Sequence, residues 1–265
     1  MEQIQNQSEM LDKWVRTISK MYEFHISLIG IIQRISSLHD VIKDQCNEYL
    51  TNEEPNYSIT IVPADIDLER LKAQREDVLE GKSPQTYSDA YLETLAVYRK
   101  ICEKMADYDT ILMHGSVVAV DGVAYLFTAK SGTGKSTHTK FWRELFGERA
   151  VMVNDDKPLL KLTEDGVLAC GTPWDGKHRL STNVCLPLKA ICILERGETD
   201  EIHRISAQEA LPMVFQQTYR PKKLAKYMEI IDKLTQRVEF YRLKCTMSPN
   251  AAKVAYEGMN SPQNT

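Results

Sequence analysis

The sequence has no run of lysine and arginine, no long apolar segment and no closely spaced pair of cysteines in its 265 residues. Its net charge is −4, with both signs distributed along the chain, so we do not expect it to bind nucleic acid. No segment approaches the roughly 18 apolar residues of a membrane-spanning helix, and the N-terminus lacks a basic stretch followed by an apolar run. We therefore expect a soluble, cytoplasmic protein that does not associate with a membrane.

The cysteines include no Cys-x-x-Cys pair, and most of them lie in apolar segments. This pattern favours buried free thiols over disulfides or a zinc site. The prediction applies to all six, which are Cys46, Cys102, Cys170, Cys185, Cys192 and Cys245.

Hydrophobic periodicity divides the chain into two regions. Residues 1–87 are predicted to be a small α+β region, residues 88–259 a second domain and residues 260–265 a frayed tail. The first region shows helical spacing up to Met21, strand alternation over 22–28, 31–35 and 57–61, and helices over 39–50 and from Asp65 to about Gly81.

The second domain is predicted to have an α/β (α+β) fold. Its β-sheet is expected to be mixed and rich in hairpins, with flanking helices. Asp121-Gly122 and Asp165-Gly166 are two-residue turn signals between apolar segments, which indicates two antiparallel hairpins. Ser88 is a predicted N-cap for a long amphipathic helix. Further strands are expected over 111–113, 150–153 and 186–194, and further helices after Ser206 and over 224–238.

A phosphate-binding loop occupies residues 129–136, Ala-Lys-Ser-Gly-Thr-Gly-Lys-Ser, with alanine in place of the usual first glycine. We call this segment the phosphate loop. It lies between a predicted strand and a predicted helix, so backbone N–H groups and the helix N-terminus can bind an anion. Lys135 is expected to reach the outer phosphates and Ser136 to ligate Mg²⁺. The predicted nucleotide-binding residues are Ser131, Gly132, Thr133, Gly134, Lys135, Ser136 and Thr137.

Two adjacent carboxylates, Asp155 and Asp156, follow a predicted strand about 20 residues after Lys135. One can bind Mg²⁺ while the other accepts a proton from a substrate hydroxyl, which is the chemistry a kinase requires. His114 follows another apolar strand and is expected to hold or tune the acidic pair.

Residues 171–179 form a polar loop that contains two glycines, a tryptophan and three basic side chains. We expect this loop to be a second wall of the site, because functional groups concentrate on loops fixed by a rigid scaffold. Trp174 would shape it, while Lys177 and Arg179 would face phosphate or acceptor.

His114-Gly115, the segment from Ser131 to Ser136 and Asn154-Asp155-Asp156 together resemble the catalytic domain of HPr kinase/phosphorylase. That family shares its nucleotide fold with phosphoenolpyruvate carboxykinases, and the resemblance covers residues 88–255. The resemblance implies a serine kinase in which Asp155 is the general base and lies close to His114. Lys135 and Ser136 would hold phosphate and Mg²⁺, and Asp156 would be a further ligand of the metal. Arg204 is the nearest match to the family's phosphate-handling arginine.

Two departures from the family concern metal and partner. Gly171-Thr-Pro-Trp174 replaces a segment that carries a metal-binding carboxylate, and the segment that recognises the carrier protein is not evident. The partner is therefore not expected to be HPr itself.

The leading interpretation is an ATP- and Mg²⁺-dependent kinase for serine or another hydroxyl, on a small molecule, a peptide or a protein. A phosphoenolpyruvate carboxykinase is one alternative, but those enzymes are longer and need a second metal site. A non-catalytic nucleotide-binding regulatory module is another, which the intact acidic pair disfavours. The acceptor and the phosphoryl donor stay open, and a homo-oligomer is compatible with the sequence.

Overall fold

The structure, a computed structural model, describes residues 21–79, 81–176 and 178–261. The helical spacing predicted before Met21 lies outside these residues. The chain divides into two compact units, with the division between Ile101 and Cys102, whereas the domain boundary at residues 81–87 stays a prediction. Within the described ranges, no helix combines the length and the apolar character needed to cross a bilayer.

The first unit contains a four-stranded sheet in the order β3-β1-β2-β4. The three strands predicted from alternation are confirmed, but the helix predicted over 39–50 is replaced by one short helix and a 3₁₀ turn. The chain leaves the helix at Cys46, and Leu50 and Thr51 then pair with β1. The elements are β1 (Tyr22–Leu28), β2 (Ile31–Ser37), α1 (Val41–Gln45), β3 (Leu50–Thr51), β4 (Tyr57–Thr60) and α2 (Pro63–Leu79).

Helix α3 (Asp89–Met105) runs through the boundary between the two units. Its N-terminus confirms the predicted cap, because the Ser88 hydroxyl accepts a hydrogen bond from the Tyr91 N–H at 3.3 Å.

The second unit contains a nine-stranded sheet in the order β5-β9-β10-β11-β7-β6-β8, with β13 paired to β11 and β12. Strands β7 and β13 run parallel to β11, whereas the β6–β7 and β9–β10 hairpins are antiparallel. The predicted mixed, hairpin-rich sheet with flanking helices is thus confirmed. Its strands are β5 (Thr110–Leu112), β6 (Ser116–Val120), β7 (Val123–Thr128), β8 (Ala150–Asn154), β9 (Leu159–Thr163), β10 (Gly166–Cys170), β11 (Cys185–Arg196), β12 (Glu201–Ile205) and β13 (Glu239–Cys245).

Helices cover both faces of this sheet. Side chains of its central strands are therefore buried alternately in two apolar cores, one on each face. Val117 and Ala119 of β6 belong to one apolar core, and Val118 and Val120 to the other, which also contains Trp142. The helices are α4 (Lys135–Phe146), α5 (Ala207–Gln217), α6 (Leu224–Arg237) and α7 (Asn250–Asn260).

The cysteine prediction is wrong for one pair. Cys170 and Cys185 lie directly opposite each other in the antiparallel β10–β11 register, with Cα atoms 4.1 Å apart, and they form a disulfide. Strand register decides this contact, and spacing along the chain does not reveal it. Cys46, Cys102 and Cys192 are free and buried, as predicted.

Candidate active site

The phosphate loop connects the end of β7 to the start of α4. Gly132 and Gly134 have φ angles of 75° and 115°, in the left-handed region that glycine adopts without a steric penalty. The buried Ala129 is not among the residues with positive φ, so alanine fits the position where the motif usually has glycine. The backbone thus has the shape of an anion-binding loop that precedes a helix.

Lys135 is the first residue of α4, and its side chain is partly buried beside the loop. The ammonium group donates to the Ala129 carbonyl at 3.3 Å. Burial lowers the pKa of Lys135, and the charges of Asp156 and Asp155 partly offset that effect. The loop lysine and the two predicted acids therefore belong to one electrostatic cluster.

Asp155 is linked to helix α4 through two hydroxyl groups. Its Oδ1 accepts a hydrogen bond of 2.6 Å from the Ser116 hydroxyl, which lies 2.8 Å from the Thr139 hydroxyl of α4. The residue is only 7% exposed. The carboxylate is thereby fixed relative to the helix that carries Lys135.

Asp156 lies between two basic side chains. Its Oδ1 is 2.9 Å from Nε2 of His114, and its Oδ2 contacts the Lys157 ammonium group. Burial raises the pKa of Asp156, but the hydrogen bond from His114 and the charge of Lys157 outweigh it and hold the pKa far below its usual range. Asp156 is therefore ionised at neutral pH.

The family resemblance implied that His114 lies close to Asp155, but in the structure the imidazole contacts Asp156. The two acids lie in a bend after β8, outside the strand, and this bend brings Asp156 against His114. Gln217, which the sequence analysis did not single out, completes this arrangement. Its side-chain oxygen is 3.0 Å from Nδ1 of His114, and its carbonyl accepts from the His114 N–H at 2.7 Å.

The start of the 171–179 loop packs against the acidic pair. The side-chain amide (Nδ2) of the buried Asn154 donates to the backbone carbonyls of Thr172 at 3.1 Å and Trp174 at 3.4 Å. At Gly176, a Cβ atom would lie 2.9 Å from Oδ2 of Asp155. The backbone at residue 176 therefore covers this carboxylate at a distance that only glycine permits.

The remaining predicted substrate residues are less closely tied to this cluster. Lys177 lies outside the described residues, and Arg179 is exposed and donates its N–H to the Gly176 carbonyl at 3.1 Å. Arg204 of β12 pairs with Glu239 at 3.4 Å. Glu239 is the first residue of β13, and β13 and β7 both run parallel to β11. The pair therefore lies at the end of the strands opposite the phosphate loop.

Another arginine, Arg196, contacts the phosphate loop directly. It is the last residue of β11, and its guanidinium group donates to the Gly132 carbonyl at 2.7 Å. The sequence analysis missed it because the contact depends on β11 being the parallel neighbour of β7.

The donor atoms of this cluster fit a nucleotide phosphate with Mg²⁺. A hydroxyl at Ser136 and the carboxylates of Asp155 and Asp156 are the hard oxygen ligands that Mg²⁺ accepts alongside phosphate oxygens and water. Within the part of the chain that the structure describes, no three His, Cys, Asp or Glu side chains come together to form a metal site of their own.

Comparisons with known proteins give matches of different strength. A search of solved structures finds the HPr(Ser) kinase/phosphatase from Coxiella burnetii at 11% identity, covering 55% of this chain and 94% of that one, with a TM-score of 0.35. No curated protein matches the chain. The function proposed below depends on the side chains of the site rather than on this structural match.

The family comparison covers most of the second unit and all of the site residues discussed above. The family model described as SynChlorMet cassette protein ScmC matches residues 83–254. This range is more than half of the chain, and the chain therefore belongs to the ScmC family.

Proposed function

We propose that this chain, as a member of the ScmC family, is an ATP- and Mg²⁺-dependent phosphotransferase that acts in the cytoplasm on a hydroxyl acceptor, serine in free form or within a peptide or protein. One observation carries the proposal: Asp155 is linked through the Ser116 and Thr139 hydroxyls to the helix that begins at the loop lysine, Lys135. A loop that only stores a nucleotide needs no acidic pair, whereas transfer to a hydroxyl needs a proton acceptor and a metal ligand.

The contacts of the two acids suggest a division of roles. Asp156 is kept ionised by His114 and Lys157, which suits a ligand of Mg²⁺, together with Ser136. Asp155 accepts from the neutral Ser116 hydroxyl, and we assign it as the acceptor of the substrate hydroxyl proton. Bound Mg²⁺ would neutralise charge on the transferred phosphoryl group.

We propose that the acceptor enters beside the 171–179 loop, whose Gly176 lies next to Asp155. We propose that Trp174 fixes the loop, and that Lys177 and Arg179 face the phosphate or the acceptor. Lys177→Ala would then lower the measured rate of phosphoryl transfer.

Substitution of the loop lysine tests the nucleotide site. Lys135→Ala is expected to abolish measurable binding of Mg-ATP in calorimetry, because it removes the loop cation that is expected to reach the outer phosphates. Lys140→Ala is the matched control, since Lys140 is exposed on the same helix and pairs with Glu144. Unchanged affinity for Mg-ATP in Lys135→Ala, with the control also unchanged, would rule out the phosphate loop as the nucleotide site.

A further inference from the structure

We propose that the phosphoryl donor is a nucleoside triphosphate whose nucleoside lies against Arg196 and Met247, on the side of the phosphate loop away from the acidic pair. This inference rests on the proposed function and deepens it, because the motif alone does not distinguish a nucleotide from an inorganic polyphosphate.

The order of the strands separates the two sides of the phosphate loop. Asp155 and Asp156 follow β8, Arg196 ends β11 and Met247 follows β13. In the sheet, β6 and β8 lie on one side of β7, whereas β11 and β13 lie on the other. The C-terminal ends of β7, β8, β11 and β13 lie at the same end of the sheet, because β8, β11 and β13 each run in the same direction as β7. The phosphate loop, the acidic pair, Arg196 and Met247 follow these ends and therefore lie on the same side of the molecule.

The chemistry of transfer then fixes the direction of the bound donor. The terminal phosphoryl group must face the proton acceptor, since attack and departure are roughly in line. The opposite end of the triphosphate, which carries the nucleoside, therefore points away from the acids, toward β11 and β13.

Arg196 offers a planar cation on this side. Its guanidinium group donates to the Gly132 carbonyl at 2.7 Å, which fixes it next to the loop, and the residue is exposed. Guanidinium planes stack on aromatic rings, so the group can hold the loop and contact a base at the same time.

Met247 offers an exposed apolar surface next to the first turn of α4. Its Sδ lies 3.3 Å from the position that a Cβ of Gly134 would occupy, and the residue is 64% exposed. Thioethers make favourable contacts with aromatic rings.

The backbone around Met247 is held in place by one carboxylate. Asp200 accepts from the Thr246 N–H at 2.7 Å, the Thr246 hydroxyl at 2.9 Å and the Ser248 hydroxyl at 3.3 Å. Met247 is therefore presented from a fixed turn, which is the arrangement that a preorganised base site requires.

Binding of Mg-ATP and of Mg-tripolyphosphate, which lacks the nucleoside, tests the inference by calorimetry on the full chain. Met247→Ala is expected to weaken Mg-ATP about fivefold or more and Mg-tripolyphosphate less than about twofold, because only Mg-ATP loses a stacking contact. Arg196→Ala also loses the bond to Gly132, so it is expected to weaken both ligands, and Mg-ATP by about fivefold more than Mg-tripolyphosphate. Met228→Ala is the matched control, since Met228 is 51% exposed on α6, and it should alter neither affinity.

Equal weakening of both ligands in the two variants would mean that these side chains only support the loop, and unchanged ATP affinity would place the nucleoside elsewhere. Either result overturns the inference. Lys135→Ala separates this failure from failure of the proposed function, because loss of the phosphate site must weaken both ligands. If Lys135→Ala weakens neither, the proposed function itself fails.

Discussion

At the scale of single residues, two adjacent acids have different surroundings. Asp155 is buried against a hydroxyl of β6 and the backbone at Gly176, whereas Asp156 lies between His114 and Lys157. Their separate contacts make it possible to test each role with a single substitution.

Asp155→Asn is expected to leave Mg-ATP bound while lowering phosphoryl transfer by about 10²-fold or more, the usual effect of removing a positioned general base. The amide can still accept from Ser116, so the fold around it is retained. Measured kcat and Mg-ATP affinity check this prediction.

Asp156→Asn is the matched comparison for Asp155→Asn, and its expected effect is a higher Mg²⁺ concentration needed for half-maximal transfer. Small and equal effects of both substitutions would remove the acids from the reaction and leave them a structural role.

The sequence predicted the residues that a local motif carries, and it missed those that depend on tertiary contacts. The phosphate loop and the acidic pair have a recognisable spacing, so both are candidates that the sequence alone indicates. Gln217 and Arg196 come from α5 and β11, and no spacing along the chain connects them to His114 or Gly132. Which acid His114 contacts is likewise not visible in the sequence, because it depends on the bend that follows β8.

At the scale of elements, helix α4 links the phosphate loop to the core through a buried histidine. His138 is one turn after Gly134, and its Nε2 accepts a hydrogen bond from the Trp142 indole at 3.0 Å. Burial lowers the pKa of His138 to about 4, so the imidazole is neutral in the folded protein at neutral pH.

This shift predicts a pH-dependent loss of stability. Between about pH 6.5 and pH 4 the unfolded chain binds a proton at His138 that the folded chain does not, so the free energy of unfolding falls as the pH falls. The loss from this group between pH 7 and pH 4.5 is on the order of 2 kcal/mol.

His138→Gln is the variant that isolates this contribution, because the amide oxygen can accept from Trp142 and does not titrate. Urea denaturation at pH 7 and pH 4.5 should show a smaller loss of stability for the variant than for the parent protein. Equal losses in the two proteins would contradict the assignment.

Among the elements, hairpins and capped helices were predicted well, and strands with mixed charge were not. Asp121-Gly122 forms its predicted turn with both φ angles positive, and Ser206 and Glu209 form the predicted capping box. Strands β12 and β13 and helix α7 have no counterpart in the sequence analysis. The β12 residues Glu201–Ile205 are mostly exposed at a sheet edge, so their hydrophobic alternation is weak.

At the scale of the whole molecule, the sequence identified the fold class of the second unit but not its strand order. Hairpin signals are local, whereas the parallel pairing of β11 with β7 and β13 joins segments about 60 and 50 residues apart in the chain. That pairing brings together the C-terminal ends of β7, β11 and β13, which the phosphate loop, Arg196 and Met247 follow. The part of the site that a motif describes was therefore predictable, and the part that strand order creates was not.

One measurement tests the proposed transfer to a hydroxyl most directly. The full chain is incubated with Mg-ATP labelled at the γ-phosphate and with free serine and a panel of serine-containing peptides. We predict label on the hydroxyl of at least one acceptor, with loss of that label in Asp155→Asn and in Lys135→Ala. Tight binding of Mg-ATP without transfer to any hydroxyl, and with no difference between the parent protein and Asp155→Asn, would contradict the account and favour a nucleotide-binding regulatory module.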